Sequence, residues 1–452
     1  MFETIRNAFK IKDIRNKILL TILFVVIYRF GCYITVPGLT PITNALESDS
    51  AGFLGLMNAI TGSALSQGSI FALGISPYIN SSIIVQLLTV AIPALERWSK
   101  EGEEGKEKIN KLTRWITLGL AIISAVGIVL SMDSAYGYLN TGWLGGGKVK
   151  EFFEANKWVM YIYITAMLVG GSMLCMWIGE RITEYGVSNG ISMLIFVGII
   201  STAAQALLKS IVGLFTPSAF ADNLISILLF LVTLIVVFAF IVWVDGAERK
   251  IKVQYAKQVK GNKMYGGQST FIPLKVNASG VMPLIFAYAL MSFPQMILST
   301  FWPDTAGAWW TTWMTAQGNG VGIAVYNVVL AVLIFVFAYF YSQISFNPYD
   351  IAKNIQNNGG FVTGIRPGRE TSEYLSKVVN RITLWGAVFL TIIAFVPSVL
   401  FSVIPGLIGL QNTGLISSFS ATGMLICVSV ALEFNKQLEN QIMMRHYKGF
   451  LK

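Results

Sequence analysis

The chain has 452 residues, a formal net charge of +10 and an apolar fraction of 54%, yet only 12% of its residues are charged. Soluble domains carry roughly 25% charged residues, so this chain has too little charge to cover a water-exposed surface of its size. The composition therefore excludes an ordinary soluble protein and predicts an integral membrane protein.

Long uncharged segments separate the charged residues. No charged residue occurs in 50–95, 305–349 or 382–432. A helix needs about 20 apolar residues to cross the hydrocarbon core, so each segment is long enough for at least one crossing. Strands with alternating polar positions are absent, which favours helices as the membrane-spanning elements.

The apolar runs predict about ten membrane-spanning helices. The first run, 18–36, follows a basic start and is too long for the apolar part of a cleaved signal peptide, so we expect a retained helix. We place the crossings near 18–36, 70–92, 113–132, 157–179, 187–208, 223–244, 278–300, 322–345, 378–398 and 413–433.

The distribution of Lys and Arg predicts the orientation. Of the 33 basic residues, 28 lie in the two termini and in alternate connections, chiefly 93–114, 245–276 and 346–381. Basic loops stay in the cytoplasm. An even number of crossings with both termini in the cytoplasm is therefore expected.

One uncharged segment is too short to cross the membrane. It covers residues 53–66, and about 14 residues favour a re-entrant or interfacial piece. Two interpretations remain open, namely an amphipathic helix lying on the membrane and a short helix folded back into a pathway.

The helix count predicts two halves. The first five helices end near Leu208, and residues 216–222 form a plausible linker. Because five is odd, two five-helix halves must be inverted relative to each other, an arrangement that commonly builds a pathway at the interface. Similar small-residue and proline interruptions, at 74–77 and 279–283, begin helices two and seven.

The residues that catalysis or ion coupling would need are missing from the predicted helices. The only histidine, His446, lies in the C-terminal tail, and no Asp or Glu falls in the middle of a predicted helix. We therefore expect neither an enzyme nor a metal or cofactor site. Arg29 is the only charge well inside a predicted helix, and we interpret it as structural, reaching a carbonyl or an interface.

Two basic connections, 245–276 and 346–377, are longer than simple connectors need to be. The first contains two strand-like segments, Val253–Tyr255 and Phe271–Lys275. Topology and anionic lipid explain the charge but not the length, so a cytoplasmic docking partner is at least as plausible.

Four sequence strings resemble the SecY family, the channel subunits of bacterial Sec protein translocases. They are Phe71–Ile79, Gly186–Ser192, Gln268–Thr270 together with Pro273–Asn277, and Gly364–Gly368. The resemblance spans essentially the whole chain. It implies an all-α polytopic membrane protein with two inverted five-helix halves, 1–215 and 216–452, around a central pore, and it makes 53–66 a plug helix.

The resemblance also implies roles for individual residues. The pore ring would contain Ile75, Ile79, Ile195, Ile285 and Ile426. The plug would contain Phe53, Leu54, Leu56, Met57, Ile60 and Leu65. The lateral gate would contain Gln86, Thr113 and Asn277, and the docking residues would be Arg249, Lys250 and Arg366.

The implied function is a protein-conducting channel in the bacterial plasma membrane. It would pass unfolded preproteins and release membrane segments sideways into the lipid bilayer. The implied partners are the small membrane subunits SecE and SecG, the motor ATPase SecA, the ribosome and signal peptides. The alternative from the residues alone is an inverted-repeat secondary transporter of a small solute, against which the missing carboxylates argue.

Overall fold

The computed structural model of the chain describes residues 2–41, 58, 61–136, 156–215, 220–255, 258–260, 263–265, 269–277, 280, 282–302, 308–314, 320–408 and 421–449. Its helices are α1 (Phe2–Lys10), α2 (Lys12–Gly31), α3 (Ser76–Ala91), α4 (Pro93–Lys100), α5 (Glu103–Tyr136), α6 (Lys157–Tyr185), α7 (Gly190–Gly213), α8 (Phe220–Asp245), α9 (Met282–Phe301), α10 (Ala308–Trp313), α11 (Gly320–Ser345), α12 (Pro348–Asn357), α13 (Arg369–Ile408) and α14 (Ala421–Gly449). Its strands are β1 (Glu248–Tyr255), β2 (Gln258–Lys260), β3 (Lys263–Tyr265), β4 (Ser269–Lys275) and β5 (Gly360–Val362).

Each predicted crossing overlaps a helix, but the ends differ. α2 ends at Gly31 instead of residue 36, and α3 begins at Ser76 instead of residue 70, because residues 32–33 and 70–75 form turns. Other helices extend beyond the predicted ends. α5 begins at Glu103 instead of residue 113, and α13 begins at Arg369 instead of residue 378. Hydropathy detects only the apolar part of a helix. The additional turns are charged and carry ion pairs one turn apart, such as Lys111–Glu107 and Arg369–Glu373.

By length and apolar composition alone, six of the described helices could span a membrane, or seven if α3 and α4 form one bent span. The axes of α3 and α4 differ by 101°. The bend lies at Ile92, whose backbone is extended because Pro93 disfavours a helical residue before it. α2 carries too much charge for this criterion, since Arg15, Lys17 and Arg29 fall in each of its 18-residue windows.

The chain divides into two compact units. Unit 1 contains Met1–Phe230, Ala289–Tyr326 and Phe401–Lys452, and unit 2 contains Leu231–Tyr288 and Asn327–Leu400. In unit 1, α3 packs along α5, and α5 packs along α6. The predicted division into halves at residue 215 stays a prediction.

Unit 2 contains a three-stranded antiparallel sheet with the order β4-β1-β5. The strand-like segments predicted in connection 245–276 are therefore confirmed as parts of β1 and β4. The third strand, β5, comes from connection 346–377 and pairs Val362 with Val253 of β1. Leu274, Ala352 and Leu375 belong to the buried cluster that joins the sheet to α12 and to the start of α13.

The hydropathy pattern predicts neither α1 nor α12, because each is short and has only one apolar face. In α1, Ala8 is fully buried and shares a cluster with Ile14 and Ile18 of α2 and Leu438 of α14. The first helix of the chain is thereby packed against the last helix that the structure describes.

Candidate functional site

Residues 61–75 form a buried series of turns between α2 and α3, called the turn segment below. Gly62 and Ser63 both have φ of +69°, and Ser63 is the one non-glycine residue with positive φ in the part of the chain that the structure describes. Asn58 stabilises this conformation, since its carbonyl accepts from Ser63 N at 2.8 Å and its side-chain Oδ1 accepts from Ser66 N at 2.9 Å. The turn segment is therefore built by specific polar contacts.

The end of α2 and the residues after it hold the turn segment. Arg29 Nη1 donates to the Gly62 carbonyl at 2.7 Å. Beyond α2 the chain runs antiparallel to the turn segment, where Val36 N donates to Gly68 O at 2.8 Å and Ile70 N donates to Ile34 O at 2.9 Å. The predicted contact of Arg29 with a carbonyl is thus confirmed, and its interpretation as a structural residue stays a prediction.

The turn segment also contacts α6. Ser172 Oγ donates to Gly74 O at 3.0 Å in a buried environment. A Cβ placed on Gly171 would lie 1.9 Å from the Ile70 carbonyl oxygen, so only glycine fits there. On the other side, the rings of Phe71 and Tyr28 stack at 5.8 Å. The turn segment thus contacts two membrane helices without intervening space.

Most of the predicted plug lies outside the described residues, namely Phe53, Leu54, Leu56, Met57 and Ile60. Leu65 is described and is fully buried in a cluster that includes Val36, Leu73, Ile128 and Leu168. The helix predicted over 53–66 does not continue through 61–66, because the positive φ values of Gly62 and Ser63 place these residues in turns.

The predicted pore-ring residues are placed one by one. Ile75 directly precedes α3 and is 3% exposed, and Ile79 N donates to its carbonyl at 3.0 Å. Ile195 in α7 and Ile426 in α14 are also buried within unit 1. Ile285 is half-buried in α9 of unit 2. The ring itself stays a prediction.

The predicted gate residues have different environments. Gln86 in α3 is exposed, whereas Thr113 in α5 is buried and donates to the Ile109 carbonyl of its own helix at 2.9 Å. Asn277 in unit 2 is 5% exposed, and its side-chain oxygen accepts no bond from the residues that the structure describes. The gate itself stays a prediction.

The link between α3 and α5 is made by residues that the sequence analysis does not single out. Ser81 Oγ and Thr117 Oγ1 are 2.5 Å apart, and both residues are completely buried. A second link joins α5 to α6, where Arg114 in α5 binds Glu180 in α6 through two contacts of 2.8 and 3.0 Å. Among the predicted residues, only Thr113 is connected with the link between α3 and α5, since its carbonyl accepts from Thr117 Oγ1 at 2.7 Å.

The predicted docking residues belong to one folded part of the chain, called the platform below, which comprises β4, β1, β5, the turn 363–368, α12 and the first turns of α13. Arg249 and Lys250 are exposed on β1. Arg366 is exposed in a turn whose two glycines, Gly364 and Gly368, have φ of +85° and +101°. Two connections that are about 100 residues apart in the sequence therefore present their basic residues on a common support.

The fold and the sequence together place the chain among known proteins. A family model described as SecY matches residues 69–435. The chain belongs to the SecY family. The chain is 41% identical over 458 residues to the "Protein translocase subunit SecY" of Streptomyces coelicolor, and the match covers 100% of both chains.

Solved structures with similar folds are protein-conducting channels. "The structure of a protein conducting channel" has a TM-score of 0.66 at 18% identity and covers 94% of this SecY family member and 91% of that chain. "Sec61 in the Canine ribosome-channel complex from the endoplasmic reticulum" has a TM-score of 0.63 at 17% identity, with the same shares covered. At these identities the likeness shows the fold alone, and it confirms the predicted fold class.

Proposed function

We propose that the chain is the channel subunit of a bacterial protein translocase. It passes unfolded secretory polypeptides across the plasma membrane and releases membrane segments sideways into lipid. The observation that carries this proposal is the full-length similarity to a protein named as a translocase subunit. Neither the relative nor the solved structures compared above are solute transporters, so the transporter is not favoured.

The proposed pathway runs between halves 1–215 and 216–452 and is narrowed by the isoleucine ring. Branched apolar side chains around a narrow opening exclude water and ions by dewetting and still accommodate a passing chain. The segment 53–66 closes the outer side. Gln86, Thr113 and Asn277 border the lateral gate, where bonds between membrane helices average only about 0.6 kcal/mol and are easily exchanged.

The proposed partners follow from the charge and the platform. With both termini in the cytoplasm, the platform faces the cytoplasm, where Arg249, Lys250 and Arg366 meet the motor SecA or the ribosome. Positive side chains on a rigid support suit the phosphates of ribosomal RNA. SecE and SecG would cover part of the apolar surface, and the ribosome-bound complex with a similar fold supports the ribosome as a partner.

The proposal is tested by crosslinking a stalled precursor to the pore. A photoreactive amino acid replaces Ile79 or Ile285 in the assembled translocase, and the precursor is arrested during translocation. We expect crosslinks from both positions, and we expect none with a precursor that lacks its signal sequence.

A matched control replaces Val232 in α8, an apolar residue that is 59% exposed and has no predicted role in the pore. It should give no crosslink to the precursor. If Ile79 and Ile285 give no more crosslinked product than Val232 while the motor is active, the chain is not the conducting subunit.

A further inference from the structure

Four tryptophans lie between the apolar helices α9 and α11. Trp302 directly follows α9, and Trp309, Trp310 and Trp313 belong to α10. Trp302 is 57% exposed, Trp309 54% and Trp313 39%. Because Trp309 and Trp313 are four residues apart, they lie on the same face of α10. The half-buried Trp310 supports this face, since its ring centroid lies 6.4 Å from that of Trp309.

The contact of α10 with α11 indicates the depth of α10 in the membrane. A Cβ on Gly322, in the first turn of α11, would collide with the carbonyl oxygen of Thr312 and would lie 3.4 Å from the Cα of Trp313. The main chain of α10 therefore lies directly against the start of α11, within unit 1. α11 is one of the helices that are long and apolar enough to cross a membrane. α10 thus lies at the level where such a crossing begins.

Indole rings suit this level of a membrane. A tryptophan side chain combines a large apolar ring with one N–H donor, and tryptophans are enriched where the hydrocarbon core meets the headgroups. α10 contains no charged residue, and neither does the rest of 305–349. A surface that faces bulk water would usually carry charges, whereas a surface in the hydrocarbon core has no use for N–H donors.

We propose that Trp302, Trp309 and Trp313 form a lipid-binding surface for the headgroup boundary of a phospholipid leaflet. This surface anchors the connection between α9 and α11 to one side of the bilayer. The distribution of basic residues predicts the extracytoplasmic side, since this connection alternates with the basic ones. The proposal goes beyond the proposed function, because it assigns a lipid contact that does not depend on what passes through the channel.

The test compares three positions that are equally exposed in the protein alone. A fluorescent amino acid replaces Trp309, Val332 of α11 or Phe271 of β4, which are 54%, 56% and 53% exposed. At about 1.5 Å per residue, Val332 lies about 15 Å further along α11 than Gly322, near the middle of a hydrocarbon core about 30 Å thick. Phe271 belongs to the platform, which faces the cytoplasm in the proposed orientation. The three positions therefore differ in their surroundings and not in their exposure.

Each labelled chain is measured in the complete translocase, in vesicles of phosphatidylcholine and phosphatidylglycerol. Three quenchers are used in turn: a lipid with a nitroxide near the headgroup, a lipid with a nitroxide near the end of the acyl chain, and iodide in the water. At position 309 we expect the shallow nitroxide to quench at least about twofold more strongly than either of the others. Val332 should be quenched most by the deep nitroxide, and Phe271 most by iodide. If the variant labelled at 309 does not fold, a label at Trp313 gives the same measurement.

Three results at position 309 would overturn the proposal. Strongest quenching by iodide would mean that α10 faces water, and strongest quenching by the deep nitroxide would mean that it lies in the hydrocarbon core. Protection from all three quenchers would mean that another protein covers α10. None of these measurements needs a precursor. A missing crosslink at Ile79 and Ile285 would therefore count against the proposed function and leave the lipid-binding surface unaffected.

Discussion

The turn segment and the platform place their polar groups in opposite environments. In the turn segment, main-chain groups and the hydroxyls of Thr61 and Ser66 are bonded inside the protein, and Leu65 and Leu73 are completely buried. In the platform, the sheet buries one face and leaves Lys250, Lys252 and Phe271 exposed on the other. Phe271, paired with Lys252 in the sheet, remains 53% exposed.

This difference separates two ways of holding a functional residue. The turn segment is fixed by its neighbours, so its removal or displacement should change the stability of unit 1. A docking residue needs a fixed backbone but a free side chain, so its substitution should change binding and leave folding almost unaffected.

The largest effect is expected where the turn segment contacts α6. In Gly171→Ala, the new methyl group would collide with the Ile70 carbonyl, and main-chain atoms would have to shift. We expect a loss of about 3 kcal/mol in the free energy of unfolding, the upper end for overpacking. The measurement is the thermal unfolding midpoint of the purified protein, followed by tryptophan fluorescence.

The neighbouring glycine provides the control for this prediction. A Cβ on Gly170 would meet no heavy atom within 4 Å. Gly170→Ala should therefore be neutral or stabilising by up to about 1 kcal/mol, because alanine favours a helix. Equal midpoints for the two variants would mean that the turn segment is not tightly packed against α6.

The sequence predicts the membrane helices better than the features that join them. Apolar runs and basic connections indicate the crossings, because a helix in the hydrocarbon core must be apolar and basic loops stay in the cytoplasm. The turn segment could not be predicted, since its shape depends on contacts between distant residues such as Ser172 and Gly74. The same holds for β5, which pairs with β1 from another connection and has only three residues.

Individual site residues show the same limit. Arg29 was predicted to reach a carbonyl because a charge in an apolar helix needs a partner, but its partner Gly62 could not be named. Ser81 and Thr117 were missed, because single hydroxyl residues are common in membrane helices and only packing shows which of them meet.

In the platform, a charge reversal should weaken binding of a partner and leave the stability of the protein unchanged. Arg366→Glu places a negative charge where the motor or the ribosome is proposed to bind, and we expect at least about a tenfold lower rate of motor-driven translocation, or about 1.4 kcal/mol. The unfolding midpoint should not change, since the side chain is exposed. Lys353→Glu in α12 changes the net charge equally and should translocate normally. A normal rate in Arg366→Glu would remove Arg366 from the docking surface.

A smaller effect is expected from the residue that fixes the backbone of Arg366. Thr371 is 1% exposed, and its hydroxyl donates to the Arg366 carbonyl at 2.8 Å. Thr371→Val keeps the shape and removes the bond, which should cost about 1 kcal/mol of unfolding free energy. Thr363→Val, at an exposed site in the same connection, serves as the control. If the two valine variants have equal stability, the turn at Arg366 does not depend on this hydroxyl.

The smallest effect concerns the hydroxyl pairs that link membrane helices in each unit. Ser81 and Thr117 are 2.5 Å apart in unit 1, and Ser342 and Thr383 are 2.7 Å apart in unit 2. Each hydroxyl has one proton, and Thr117 Oγ1 also lies 2.7 Å from the Thr113 carbonyl. Ser81 Oγ likewise lies 2.9 Å from the Tyr78 carbonyl, so the two hydroxyls share two protons among three contacts.

These shared contacts predict a weak coupling between the two residues. After Ser81→Ala, Thr117 keeps its bond to the Thr113 carbonyl, so no buried donor is left without an acceptor. A double-mutant cycle with Ser81→Ala and Thr117→Val should therefore give about 0.6 kcal/mol, the average for such bonds in membranes. The cycle at Ser342 and Thr383 should give a similar value, because Thr383 likewise donates to Val379 O at 2.9 Å. A coupling well above about 1.7 kcal/mol in either unit would contradict this expectation. The hydroxyl pair would then be a major contribution to the packing of the two helices.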